Sequence, residues 1–248
     1  MTEEKSFHET QAENRLKVGL LVPSTDTTVE ADLINNLPYQ ITFHSARMYL
    51  SGVTVVDEER MLLEEVPRAA RELKSLEPDV AVFACTSAGA LYGPEGDIKL
   101  AKQIGELVGC PVVTVFGSVL ESLKLVKPER LLIVTPYTEE INQRVKDAIV
   151  TGGVRVNTIC GMNLVSDLDI GRVPKDNILR MLHQKVEEIK PDCIFLSCTN
   201  LRAWEILSIA VKEYNVPVLS SNFVMFRTLL KSMGYPVPDL MHPVWGNQ

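Results

Sequence analysis

Apolar positions along this chain gather into short, unbroken runs separated by longer stretches of helical spacing. The runs are Val18–Val22, Ile41–Met48, Val80–Ala84, Val112–Phe116, Leu131–Thr135, Val154–Ile159, Cys193–Ser197 and Val218–Ser220. Several are apolar throughout, as strands covered on both faces of a parallel sheet must be. Between them, Glu58–Leu76, Lys99–Val108, Thr138–Thr151, Asp176–Lys190 and Ala203–Tyr214 carry apolar residues at helical intervals. This alternation predicts an α/β fold with parallel sheets and right-handed crossovers.

The pattern also repeats. Pro23 closes one run and Pro136 closes another, 113 residues on. Pro78-Asp79 and Pro191-Asp192 open runs at the same spacing, and Cys85-Thr86 and Cys198-Thr199 end them at the same spacing. Pro-Asp before a strand is ordinary turn chemistry, but three landmarks sharing one offset imply duplication. Pro111-Val112 and Pro217-Val218 repeat at a slightly shorter interval. The reading is two similar Rossmann-like or flavodoxin-like lobes, related by a pseudo-twofold axis, with an active site in the cleft between them. Residues 1–15 form a flexible tail. Residues 16–117 plus 217–248 form the first lobe and 118–216 the second. Gly152-Gly153 reads as a helix stop.

Composition narrows the class. A chain of 248 residues, 46% hydrophobic and 23% charged, is globular and long enough for two lobes of about 100 residues each. A formal charge of −7 speaks against nucleic acid, which requires a basic face. Met1 to Arg15 has no apolar segment of the signal-peptide kind. No apolar run reaches the roughly 18–20 residues of a membrane helix. The expected setting is cytoplasmic, with no membrane partner and reduced thiols. Five cysteines cannot all pair. They form neither CxxC nor a zinc spacing, so no metal is expected. The glycines at 89, 93 and 96 do not make GxGxxG, so a nucleotide cofactor is unsupported.

Cys85 and Cys198 carry the candidate chemistry. Ligands of parallel sheets bind beyond the carboxyl ends of strands, and both cysteines stand there. Each is expected to enter a helix whose N-terminus favours thiolate. The residues that follow, Thr86-Ser87 and Thr199-Asn200, can hold a carboxylate or enolate oxygen. Two thiols converging on a small acid make a two-base arrangement, one removing a proton and the other delivering one to the opposite face. Cys110, Cys160 and Cys193 lack this repeat and read as packing. His44 and His183 also read as packing residues, and His8 and His242 as solvated. Glu139-Glu140 and Glu187-Glu188 read as solvated helix faces.

These residues resemble the Asp/Glu racemase superfamily, in particular its maleate cis-trans isomerase and arylmalonate decarboxylase branch. The resemblance runs over about residues 16–230. It is carried by Pro23-Ser24-Thr25-Asp26-Thr27-Thr28-Val29-Glu30, Ala84-Cys85-Thr86-Ser87, Thr135-Pro136-Tyr137, Asp167-Leu168-Asp169-Ile170-Gly171-Arg172 and Ser197-Cys198-Thr199. It implies Cys85 and Cys198 as catalytic residues. It implies Thr86, Ser87 and Tyr137 as groups holding a substrate carboxylate or dianion, with Ser24 and Thr199 as their neighbours. It further implies a cofactor-independent isomerase or racemase of a small carboxylic acid, assembled as a homodimer or homotetramer. The decarboxylase type keeps only the second-lobe cysteine, so the presence of Cys85 favours isomerase or racemase over decarboxylase. A non-catalytic small-molecule-binding protein is the remaining alternative.

Two positions depart from the isomerase pattern. Asp26 stands where the family has a carboxylate-binding Asn. Asp167 is the best match to a second such Asn, with Asn163 as runner-up. Each change replaces an amide donor by an acceptor-only anion, which repels a substrate carboxylate or takes up a proton. A substrate with one carboxylate and an amino, amide or ring N–H group, amino-acid-like rather than maleate itself, suits such residues. Asp26 also suits an Asx turn or a helix cap. Tyr137, following a strand-end Pro, is expected at the cleft rim.

Overall fold

The computed structural model describes residues 15–240. The expected tail, apart from Arg15, and His8 and His242 lie outside the described residues. Strand β1 (Leu16–Pro23) leads through α1 (Val29–Asn36) to β2 (Ile41–Met48). Helix α2 (Val55–Arg60), a π-helical turn (Met61–Glu65) and α3 (Val66–Lys74) run without a break towards β3 (Val80–Phe83). Helices α4 (Thr86–Ala90) and α5 (Gly93–Val108) lead to β4 (Val112–Thr114), which passes directly into α6 (Val115–Val126). The second half runs β5 (Leu131–Thr135), α7 (Glu139–Thr151), β6 (Thr158–Gly161), α8 (Asp167–Gly171), α9 (Lys175–Ile189) and β7 (Cys193–Leu196). A 3-10 turn (Trp204–Ile206), α10 (Leu207–Tyr214), β8 (Val218–Ser220) and α11 (Ser221–Ser232) complete it.

Each half forms a parallel four-stranded sheet, ordered β2-β1-β3-β4 and β6-β5-β7-β8. The repeat in the sequence is thus a repeat of topology. The Pro-Asp landmarks have matching jobs. Asp79 Oδ2 accepts from the Lys17 amide at 2.7 Å, fastening the start of β3 to the start of β1. Asp192 accepts from the Arg130 and Glu129 amides at 2.9 and 3.1 Å, doing the same for β7 and β5.

The strands β3, β5 and β7 are buried at every position, which is why they read as unbroken apolar runs. One hydrophobic core passes from Leu20 and Val82 in the first sheet, through Phe116 on α6 and Phe223 on α11, to Ile133 and Phe195 in the second. Helices α6 and α11 pack against each other and so form a seam between the sheets. A smaller cluster of Leu21, Met61, Ala69, Phe83 and Ile104 lies under α3 and α5. Among the described residues no helix is long and apolar enough to cross a membrane.

Three boundaries differ from the sequence reading. Residues from 217 on were expected in the first lobe, but β8 pairs with β7 in the second sheet; only α11 reaches back to β3, β4 and α1. The run Val112–Phe116 stops as a strand at Thr114, because the Thr114 hydroxyl accepts from the Gly117 amide and caps α6. Of Val154–Ile159 only the last two residues pair, since β6 begins at Thr158. The helix stop holds: Gly152 caps α7 and Gly153 sits at φ 88°.

Candidate active site

The two cysteines stand at the ends of equivalent strands, but their backbones differ. Cys85 is the extended N-cap of α4, at φ −144°, and the Ala88 amide points to its sulfur. Cys198 does not enter a helix, contrary to the expectation. It leads into a bend and adopts φ 131°, a conformation that costs a residue with a Cβ roughly 1–3 kcal/mol. The Asn200 amide and the Tyr137 hydroxyl both bond to its sulfur. Tyr137 is fully buried, not at a rim. Its hydroxyl bonds to the Cys198 sulfur and lies within electrostatic reach of the Cys85 sulfur.

Burial opposes the expected thiolate character. Cys85 and Cys198 are only 5% and 6% exposed, and burial pushes both thiols well above their ordinary pKa. Neighbouring acids add to this: Glu58 for Cys85, and Asp167 and Asp26 for Cys198. Desolvation in a closed site outweighs the few amide dipoles that favour the anion. Surface cavities of about 450 and 390 Å³ open elsewhere, around Tyr92 and α5.

The other predicted residues fall into two groups. Thr86, Ser87 and Thr199 are buried beside the cysteines. Their hydroxyls bond to Ser221 Oγ at 2.9 Å, to Glu58 Oε1, and to the Ala84 carbonyl at 3.4 Å. Asp26 proves to be a cap: Oδ1 accepts from the Thr28 and Val29 amides at 2.8 and 3.0 Å. Its Oδ2 is buried without a hydrogen bond. Thr199 lies close enough to help the charge, but its proton is aimed at Ala84. Asp167 takes 2.6 Å from the Thr25 hydroxyl and faces Cys198, whereas Asn163 is exposed. Ser24 is half-buried, and its hydroxyl accepts from the Leu50 amide at 3.2 Å. His44 and His183 are exposed, not packed, with Thr42 and Glu213 as partners. Cys110, Cys160 and Cys193 pack in or beside the core, and burial raises all three thiols.

The chain belongs to the arylmalonate decarboxylase family. The family profile matches residues 18–238, which takes in every residue just described. The chain is 24% identical over 231 residues to a maleate isomerase of Geobacillus stearothermophilus, covering 88% of this chain and 91% of that one. It is 25% identical over 224 residues to an arylmalonate decarboxylase of Bordetella bronchiseptica, covering 88% and 90%. The fold matches that of Nocardia farcinica maleate cis-trans isomerase carrying a covalently bound succinylcysteine intermediate, with TM-score 0.84, 22% identity and coverage of 92% and 99%.

Sequence reasoning missed Glu58, Ser221, Asn222 and Asp32 at this site and gave Asn200 a different role. Glu58 is completely buried and bonded to Ser87, and burial raises its carboxyl to about 8. The stretch Asp57-Glu58-Glu59-Arg60 looks like a solvated helix face, so nothing marked it. Ser221, at the start of α11, accepts from both Thr86 and the Cys198 amide, the latter at 3.0 Å, and so joins the two halves. Asn222 spans Asp32 and the Thr199 carbonyl at 2.7 and 2.8 Å; burial raises Asp32 to about 7. The Asn200 side chain, expected to face a ligand, instead clamps the loop 25–28. It donates to the Asp167 carbonyl at 2.7 Å and accepts from the Thr27 amide at 2.9 Å.

The arrangement offers two buried thiols, a buried phenol that interacts with both, and acids whose pKa values burial raises. Burial raises Asp26 to about 6 and raises Asp167 as well. Such groups store and release protons at ordinary pH. Among the described residues no group of three or more His, Cys, Asp or Glu could hold a metal ion.

Proposed function

We propose that this protein is a cofactor-independent isomerase or racemase of a small carboxylic acid, with Cys85 and Cys198 as its paired reacting groups. The observation that carries this reading is a pair of repeat-related cysteines buried at the ends of the equivalent strands β3 and β7, both within electrostatic reach of the Tyr137 hydroxyl. Two routes use that geometry. In the first, one thiolate removes an α-proton and the other thiol returns one to the opposite face. In the second, one thiolate adds to an activated C=C bond, the resulting single bond rotates, and elimination gives the trans product. The succinylcysteine seen in the Nocardia relative supports the second route for an alkene substrate. Thr86, Ser87, Tyr137 and Thr199 bind the carboxylate, with Ser24 supporting them. The buried, unpartnered oxygen of Asp26 and the raised Asp167 favour a substrate that also presents N–H donors over a second carboxylate.

An exchange experiment tests this. Unsaturated dicarboxylic acids and 2-amino acids are incubated with the protein in deuterated water and followed by proton NMR. Deuterium at the α-carbon, lost in both Cys85→Ala and Cys198→Ala, supports the two-base route. Isomerisation without incorporation supports addition. Turnover that survives either substitution refutes the paired reading. A decarboxylase is the second reading, favoured by the family match and by the Tyr137 hydroxyl at the Cys198 sulfur. It predicts that Cys85→Gly retains carbon dioxide release from an arylmalonate while Cys198→Ser loses it. A cytoplasmic homodimer or homotetramer belongs to the same proposal, and light scattering reads the mass.

A further inference from the structure

Glu58 is the acid that the reaction schemes above do not use. It sits on α2, completely buried, with Oε1 bonded to the Ser87 hydroxyl and Oε2 without any hydrogen bond. Ser87 Oγ also lies 3.9 Å from Cys85 Sγ, within reach of a sulfur hydrogen bond. A hydroxyl has one proton and two acceptor sites, so it can receive from one neighbour while donating to the other. The three side chains therefore form a line: sulfur, hydroxyl, carboxyl.

We propose that Glu58 and Cys85 share one proton through Ser87, making Glu58 the positioning base that generates the Cys85 thiolate. The S–H bond of Cys85 breaks as its proton passes to Ser87 Oγ. The Ser87 proton moves to Glu58 Oε1, where a new O–H bond forms. The result is a thiolate and a neutral carboxylic acid, with Ser87 unchanged and overall charge conserved. Reversal returns the proton when the thiol is needed. The same line with a protonated Glu58 leaves Ser87 free to donate to the thiolate. The logic is that of any nucleophile activated by an adjacent base through an oriented contact.

The surroundings favour sharing over full ionisation. The titratable groups facing this pair are Asp57 on α2 itself, Asp167 on α8, Cys198 and Tyr137. None of these is a cation, so a second negative charge on the pair is opposed by burial and by like charge. Removing one proton leaves a single anion divided between carboxylate and thiolate. Such coupled groups titrate as a pair, and the division does not change with pH until the second proton leaves.

This inference rests on Cys85 being a working thiol, but its test does not require turnover. The folded full chain is treated with iodoacetamide at a series of pH values, and Cys85 modification is followed by peptide mass spectrometry. In the wild type the Cys85 rate should level off between about pH 8 and 10, because the thiolate share of the monoanion is constant. In Glu58→Gln it should climb about tenfold per pH unit over the same interval, as a thiol held above that range by burial does. A wild-type rate that climbs tenfold per unit across this range overturns the proposal, and that measurement needs no variant to fold. A wild-type plateau without activity on any acid overturns the isomerase reading and leaves the proton pair standing. Cysteine-dependent activity with no plateau does the reverse.

Discussion

Asn200 offers the most direct test of how the two halves are held in register. Its side chain is 1% exposed. It donates to the Asp167 and Thr25 carbonyls at 2.7 and 3.3 Å and accepts from the Thr27 amide at 2.9 Å. Replacing it by Ala removes these three bonds. The exposed Thr27 amide can turn to water. Each of the three bonds contributes about 0.5–1.5 kcal/mol. Asn200→Ala should therefore cost about 2–4 kcal/mol in urea unfolding at neutral pH, with the m-value unchanged. Asn200→Asp keeps the acceptor for Thr27 but loses both donors and adds an anion near Asp26 and Asp167. It should be the worse variant at pH 7 and improve relative to wild type at pH 5. Gly171 supplies a cross-check, because a Cβ there would meet Asn200 Oδ1 at 2.8 Å and Thr27 Oγ1 at 2.9 Å. Gly171→Ala should couple with Asn200→Ala in a double-mutant cycle. A loss below about 0.5 kcal/mol for Asn200→Ala, the range of ordinary surface changes, would refute the clamp.

Three further outcomes follow from the buried groups. Glu58, Asp32 and Asp26 are raised to about 8, 7 and 6, so the folded state holds protons that the unfolded chain has released. Stability from these groups is full below about pH 4 and is lost as pH rises through 6 to 8, at up to about 1.4 kcal/mol per pH unit for each extra proton held; denaturation midpoints should fall from pH 5 to pH 8, and a rise would contradict the assignment. Ser221→Ala leaves the buried Cys198 amide and the Thr86 hydroxyl without their acceptor and should cost about 2–3 kcal/mol by thermal or urea unfolding. Tyr137→Phe removes the hydroxyl that favours the Cys198 thiolate, so Cys198 alkylation should slow at fixed pH while the fold persists; unchanged labelling would remove Tyr137 from the site.

What was legible in the sequence depended on burial on both faces. Strands such as Leu131–Thr135 are apolar up to a closing Thr135, whose buried hydroxyl is bonded to Asn142, and the Pro-Asp latches repeat because each holds a strand start. The cysteines were found through that repeat. Helices α1, α6 and α11 were not anticipated, because their apolar positions merge with neighbouring runs: Val115 and Phe116 continue the strand spelling of Val112–Thr114. The acids were misjudged or missed for a related reason. A carboxylate in a polar run looks solvated, and only the fold reveals that Glu58 turns inward while Glu59, its neighbour, contacts Tyr92 at the surface. Asp26 was seen, but its capping of α1 could not be separated from a ligand contact until the chain was folded.

The unlike backbones of Cys85 and Cys198 have a stereochemical consequence. Gene duplication would supply two equal thiols, but one now rests on a short helix at φ −144° and the other on a strained bend at φ 131°. On the two-base route proposed above, a planar intermediate would meet a different donor on each side. The slower of the two proton transfers would limit turnover in both directions, and the equilibrium ratio would belong to the substrate alone. The protein breaks the symmetry of its own halves, so on that route the two faces of one carbon would exchange hydrogen with solvent at different rates.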